Sequence, residues 1–226
     1  MKIGILQTGH IPANLADQFE DYGGMFRQLL EGHDFDFAIY PVVDGIFPAS
    51  VTDADGWLIT GSKHGVYEDL PWIAQLENFI RDTYADGRPL IGICFGHQIV
   101  AQALGGKVEK FVGGWTVGHT EYDLAGEQIA LNAWHQDQVT ELPPEASVIG
   151  TSETCANAML RYGDSILTLQ PHPEFGAAFI RGLIDTRGEG VVPAPLLKRA
   201  LNQLDAPIAQ HRIANLMADF FLEGQK

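Results

Sequence analysis

A cysteine set between glycines, Gly92-Ile93-Cys94-Phe95-Gly96, follows the apolar run Leu90-Ile91-Gly92-Ile93 and precedes a helical pattern carrying Ile99, Val100, Ala103 and Leu104. Strand, Gly-x-Cys-x-Gly turn and helix together form a nucleophile elbow, with sulfur where a hydroxyl is usual. The glycines at minus two and plus two leave room for a tight turn that lifts Cys94 above the C-terminal edge of a sheet. The helix behind it aims free N–H groups and a positive dipole end at the sulfur, which favours a reactive thiolate at neutral pH. An arbitrary cysteine at a strand end is more often inert packing. The glycine context sets this one apart.

A thiol nucleophile needs a base, and the base needs an orienting group. Gln170-Pro171-His172-Pro173-Glu174-Phe175 closes another apolar run, Leu167 to Leu169. In extended chain, residues two apart project to one side, so Glu174 can hold the His172 imidazole while its other nitrogen faces Cys94. Pro171 and Pro173 bias the segment away from helix. Acyl transfer also needs donors for a developing oxyanion. Phe95 N–H, next to the nucleophile, is one, and the loop Thr60-Gly61-Ser62-Lys63-His64-Gly65 is a source for the second. Read without the cysteine, that loop is an ordinary Gly-Ser turn. His97 packs or caps on the helix after Cys94, and His10, His33, His64, His119 and His211 are read as surface or structural. No His/Cys spacing suits zinc, so neither a metal nor another cofactor is expected. No Gly-x-Ser-x-Gly is present, which rejects a serine hydrolase.

The elements that must position these groups follow from periodicity. Met1 to Gln7 reads as a first buried strand; Phe19, Tyr22, Phe26, Leu29 and Leu30 recur as an amphipathic helix ending at Gly32; Phe35, Phe37 and Ile39 alternate as a strand. Gly56 to Thr60 is a short buried strand. Asp69 reads as the N-cap of a helix with Pro71 in its first turn, running to Asp86-Gly87. From Lys107 to Gln170 the pattern is β-rich, with a hairpin at Gly163-Asp164. A helix from Phe175 to about Asp185 follows, then a surface loop at Gly188 to Pro195, and a last helix carrying Ile213, Leu216, Met217, Phe220 and Phe221. This order predicts an α/β fold, a mostly parallel sheet covered by helices, with an antiparallel extension. The whole chain, 1–226, is expected to be a single domain.

Composition narrows the partners. Fourteen Lys and Arg against 29 Asp and Glu give a net charge of −15, a field that repels nucleic acid and anionic membrane surfaces. Two cysteines, Cys94 and Cys155, make no disulfide framework, which fits a reducing, cytoplasmic setting. The N-terminal apolar run is too short for a signal segment, and no run of about 18 apolar residues suggests a membrane span.

Three segments together resemble the class I glutamine amidotransferases. Gly92 to Gln98 looks like that family's nucleophile motif, His172-Pro173-Glu174-Phe175 like its His–Glu motif, and Leu58 to Tyr67 like its oxyanion loop. The resemblance implies a three-layer α/β/α sandwich, flavodoxin-like in its sheet. Carried over by position, Cys94 is the nucleophile and His172 with Glu174 completes a Cys-His-Glu triad. The second oxyanion N–H falls on Ser62, where the family commonly has Gly before Pro. Gln98 matches a position contacting the glutamyl group, and Trp134-His135-Gln136-Asp137 looks like the segment holding the substrate's amino-acid end, with Gln136 where Gly is usual. The implied reaction is attack on the γ-carboxamide of glutamine or a γ-glutamyl amide, a γ-glutamyl thioester, then glutamate and ammonia. Ammonia would pass to a synthetase or acceptor subunit, or hydrolysis is itself the purpose. Tyr67-Glu68-Asp69 and Pro71-Trp72-Ile73 resemble stand-alone members that act as γ-glutamyl peptidases, the second reading. A non-catalytic small-molecule binding module on the same fold is the third.

Overall fold

A computed structural model describes residues 1–224, so the last two residues of the expected domain lie outside the described ones. Strands and helices alternate first: β1 (Lys2–Leu6), α1 (Tyr22–Leu29), β2 (Asp36–Tyr40), β3 (Gly56–Ile59), α2 (Pro71–Asp86), β4 (Leu90–Ile93) and α3 (Phe95–Ala103). A β-rich stretch follows: β5 (Lys107–Lys110), β6 (Thr116–Leu124), β7 (Glu127–His135), β8 (Asp137–Glu141), β9 (Ala146–Thr151), β10 (Met159–Tyr162) and β11 (Ile166–Leu169). The helices α4 (Ala177–Leu183), α5 (Ala194–Asn202) and α6 (Gln210–Glu223) end the chain.

Nine strands join in the order β2-β1-β3-β4-β11-β10-β9-β6-β7, and β5 pairs β8 separately. The half from β2 to β11 is parallel, and β10, β9, β6 and β7 extend it antiparallel. Strands β1, β3, β4 and β11 are buried almost throughout, because helices cover both faces and leave room for a polar side chain only where it is hydrogen-bonded, as Thr168 is. Successive residues serve opposite layers. Ile5, Leu58, Ile91 and Leu167 meet α1 and α6 through Phe26, Leu30, Ile213 and Phe221. Leu6, Ile59, Leu90 and Ile166 meet α2 and α3 through Leu76, Ile80, Ile99 and Val100. The three-layer sandwich is therefore as expected.

Topology does the positioning. The chain leaves β4 at Cys94, builds the antiparallel extension, and returns as β11 beside β4, with Leu169 opposite Ile93. The ladder continues one step further, Cys94 N–H donating to Leu169 O at 2.8 Å. Residues some 80 apart in sequence thus leave the sheet side by side.

Three details differ from the sequence reading. Asp69 does not cap α2: the N-cap is Leu70, without a side-chain bond, and Pro71 alone shapes the first turn. The helix after Phe175 starts at Ala177 and runs into a π-helical turn, Ile184–Gly188. The loop read at Gly188 to Pro195 ends in α5, whose first turn holds Pro195.

Candidate active site

Cys94 sits between β4 and α3 with φ 52° and ψ −99°, a conformation that costs a non-glycine residue roughly 1–3 kcal/mol and is held by its surroundings. Its flanking glycines are needed for close approach. A methyl group on Gly92 would stand 2.5 Å from Gly96 O, and one on Gly96 would stand 2.4 Å from Ile59 O. Larger residues at either place would push the turn open. The Phe95 and Ser62 backbone N–H groups donate to no acceptor among the described residues. The Ser62 side chain instead ties its loop to the β1 end, Oγ donating to Thr8 O at 2.7 Å.

His172 is fixed from several sides. Its N–H donates to Asn132 O at 2.9 Å, joining the segment to β7. The Phe175 ring stacks on the imidazole, 3.9 Å between centroids and 5° from parallel, and Nδ1 shares a 2.6 Å hydrogen bond with Glu174 Oε1. Both side chains are buried. Gly61 fills the space between imidazole and cysteine: a methyl there would lie 2.9 Å from His172 Cε1 and 3.8 Å from Cys94 Cβ. Burial works to lower the His172 pKa, but the Glu174 carboxylate, the Cys94 sulfur and hydrogen bonds to both lift it to about 10. The imidazolium is therefore the favoured form beside that sulfur.

A cavity of about 590 Å³ opens above these groups. Ser62, Gln98, His135, Gln136 and Asp137 all line it together with Cys94 and His172; Phe95 does not, its side chain being packed beneath the elbow against Trp72. Gln98 Nε2 is engaged by Asp137 O at 2.9 Å and Gln170 Oε1 at 3.0 Å. Asp137 accepts from the Tyr67 hydroxyl at 2.9 Å, which links the Ser62 loop to the start of β8 across the mouth. His135 is buried without a carboxylate partner; burial, then the neighbouring His172, drop it to about 3. His97 lies deeper, Nδ1 against Thr168 Oγ1 at 2.8 Å, and burial followed by His135 takes it to about 3.

Several lining residues escaped the sequence reading. Tyr22, counted there as an apolar helix position, directs its ring to Phe175, and burial pushes its hydroxyl up to about 12 against the pull of Arg187. Arg187, on the π-helical turn, and Lys63, Lys110 and Trp115 also face the cavity. His64, read as surface or structural, does line the mouth but is held by Glu68 at 2.9 Å. Lys63 and His64 belong to the loop read as an oxyanion source, but no local pattern marks Tyr22, Lys110, Trp115 or Arg187; only the fold brings those to the rim. Cys155, the other thiol, is buried and does not line the cavity, and burial raises it to about 12. Among the described residues no cluster of three or more His, Cys, Asp or Glu could hold a metal ion, and no helix is long and apolar enough to cross a membrane.

Comparison with known proteins bears on this geometry. The family model described as "Glutamine amidotransferase class-I" matches residues 26–178. "Gamma-glutamyl peptidase 4" of Arabidopsis thaliana is 34% identical over 73% of this chain and 73% of its own length. "Gamma-glutamyl peptidase 3" of the same plant is 30% identical over 73% and 74%. A solved glutamine amidotransferase from Methylobacillus flagellatus superposes with a TM-score of 0.76 at 25% identity, covering 99% of this chain and 94% of that one.

Proposed function

The chain belongs to the class I glutamine amidotransferases, and from that premise we propose that it hydrolyses γ-glutamyl amide bonds, with Cys94 as nucleophile, His172 as acid and base, and Glu174 as the group that orients His172. The observation that carries this reading is the buried 2.6 Å His172–Glu174 hydrogen bond, made by an imidazole packed against the same glycine as Cys94.

For attack the Cys94 thiol gives its proton to His172, so that the reacting pair is a thiolate and an imidazolium. The sulfur lone pair forms a bond to the γ-carbonyl carbon, and the carbonyl electrons move onto oxygen, where the unpaired N–H groups of Ser62 and Phe95 receive the charge. As that tetrahedral species collapses, the carbon–nitrogen bond breaks and the leaving amine takes the imidazolium proton. Water then gives a proton to neutral His172 and attacks the thioester carbonyl. Expulsion of the thiolate releases glutamate, whose new carboxyl group ionises to solvent, and the starting pair is restored. Glu174 keeps Nδ1 bonded throughout, leaving Nε2 for the moving proton. Gln98, His135, Gln136 and Asp137 stand where the amino-acid end of the glutamyl group would lie.

The leaving group is, in this reading, larger than ammonia. Glutamine has roughly ten heavy atoms and takes no more than about 300 Å³ even at water's ~30 Å³ share each. The cavity of about 590 Å³ has an open mouth with Tyr67 and Val191 at its lip. Relatives named as γ-glutamyl peptidases support the same choice. A second reading, glutamine hydrolysis with ammonia delivered to a separate synthetase or acceptor subunit, is favoured by the name of the matching family.

Purified protein incubated with γ-glutamyl dipeptides and with glutamine separates the two. The expected result is glutamate release from the dipeptides faster than from glutamine, and none from either with Cys94→Ser. Equal release by the variant would remove Cys94 from the mechanism.

A further inference from the structure

Part of the cavity wall is built by the α4–α5 connection, which has no part in the steps above. Its π-helical turn, Ile184–Gly188, brings Arg187 into the cavity. A π turn inserts a residue into the helical register and so re-aims the side chains that follow, a device frequent at functional sites. Arg187 is half-buried, its Nη2 lying 3.4 Å from His10 O. Lys63 and Lys110 face the same space. Among the described residues none of these cations forms an ion pair.

The charge balance here is opposite in sign to that of the whole chain. The chain carries −15 overall, yet three cations face the cavity against two carboxylates, Glu68 and Asp137. Both carboxylates are engaged locally, Glu68 by His64 and the Gly65 N–H, Asp137 by Tyr67. A γ-glutamyl head brings one ammonium and one carboxylate, so it adds no net charge and leaves the cationic surplus unmatched. Opposite charge across a binding surface sets selectivity and steers encounter, and a planar guanidinium suits a carboxylate in two-point contact.

We propose that Arg187, supported by Lys63 and Lys110, selects γ-glutamyl substrates whose leaving group carries a free carboxylate, as the C-terminus of a γ-glutamyl amino acid or peptide does. The inference rests on the γ-glutamyl hydrolase reading and adds the chemistry of the leaving-group side. A carboxylate could also come from the glutamyl head itself, so the experiment must tell the two apart.

The test compares a γ-glutamyl amino acid with its C-terminal amide, which keeps the glutamyl head and loses only the leaving-group charge. Wild type is expected to favour the free acid by about tenfold or more in kcat/KM, the size of one lost charge-assisted bond. Arg187→Ala should bring that ratio close to one, chiefly through KM for the acid, and Arg187→Lys should restore part of it. Lys63→Ala and Lys110→Ala should each lower the ratio less. Raising the salt concentration should narrow the ratio in wild type and leave it flat in Arg187→Ala. If wild type cleaves both compounds with equal kcat/KM, or if Arg187→Ala keeps the preference, the inference is overturned while γ-glutamyl hydrolysis stands. A parallel loss on acid and amide in Arg187→Ala would assign Arg187 to the glutamyl head instead. If wild type cleaves neither compound, the underlying reading fails and takes this one with it.

Discussion

His172 and His135 line one cavity and are almost equally buried, yet their imidazoles are driven in opposite directions. Burial lowers both, since a low-dielectric site disfavours the charged ring. At His172 burial is the largest single influence, but the Glu174 carboxylate, the Cys94 sulfur and hydrogen bonds to both together overcome it and carry the ring to about 10. His135 has no such neighbour, and burial with the adjacent His172 leaves it near 3, as burial with His135 leaves His97. Depth therefore does not choose the charged imidazole; its partners do, Glu174 through a local His-x-Glu spacing and Cys94 through the fold. The rim favours an imidazolium at His172 beside the sulfur and neutral rings at His135 and, deeper, His97.

Breaking the charged member should have the largest effect. His172→Ala is expected to cut glutamate release by about 10³-fold or more, read as kcat/KM on a γ-glutamyl dipeptide, with His135→Asn losing far less. Unequal losses sharpen the contrast; equal ones would erase it. Glu174→Gln keeps the shape and removes the charge. It should cost about 10²-fold, and the His172 ring resonances should titrate at lower pH than in wild type, where Glu174 helps to lift them to about 10.

Acid stability probes the neutral pair. Unfolded, His97 and His135 take up protons below about 6.5, whereas the buried rings do so only near 3. Between those values the unfolded state binds more protons, so stability falls as pH falls, by up to about 1.4 kcal/mol per pH unit for each ring. Thermal unfolding from pH 7 to pH 4 should show that decline, and His97→Gln should flatten it. An unchanged slope would mean that His97 is protonated in the fold. The smallest effect concerns an exposed histidine. His10 lies between Asp21 at 2.5 Å and Asp44 at 3.0 Å, and the Asp21 hydrogen bond leads in raising its pKa. Asp44→Asn should cost less than about 1 kcal/mol by thermal or urea unfolding, since carboxylates in water do little of what Glu174 does in the core.

The contrast also explains which parts were legible in the sequence. Cys94, His172 and Glu174 stand in short motifs whose backbone geometry is local: a glycine-flanked turn, and an extended Pro-His-Pro-Glu run. The buried parallel strands could be read as unbroken apolar runs. Arg187 and Tyr22 could not, because one reaches the cavity through a π turn and the other through the entry angle of α1. The helix α5 was hidden by Pro193 and Pro195, which read as loop punctuation although proline is well tolerated at a helix start. Asp69 had the chemistry of a cap but sits one residue too early.

The most direct measurement is a denaturing quench of enzyme turning over a γ-glutamyl dipeptide, followed by digestion and mass spectrometry. The account predicts a γ-glutamyl group on the peptide carrying Cys94 and none on the one carrying Cys155. Undiminished turnover with an unmodified Cys94 peptide, or with the adduct elsewhere, would contradict it.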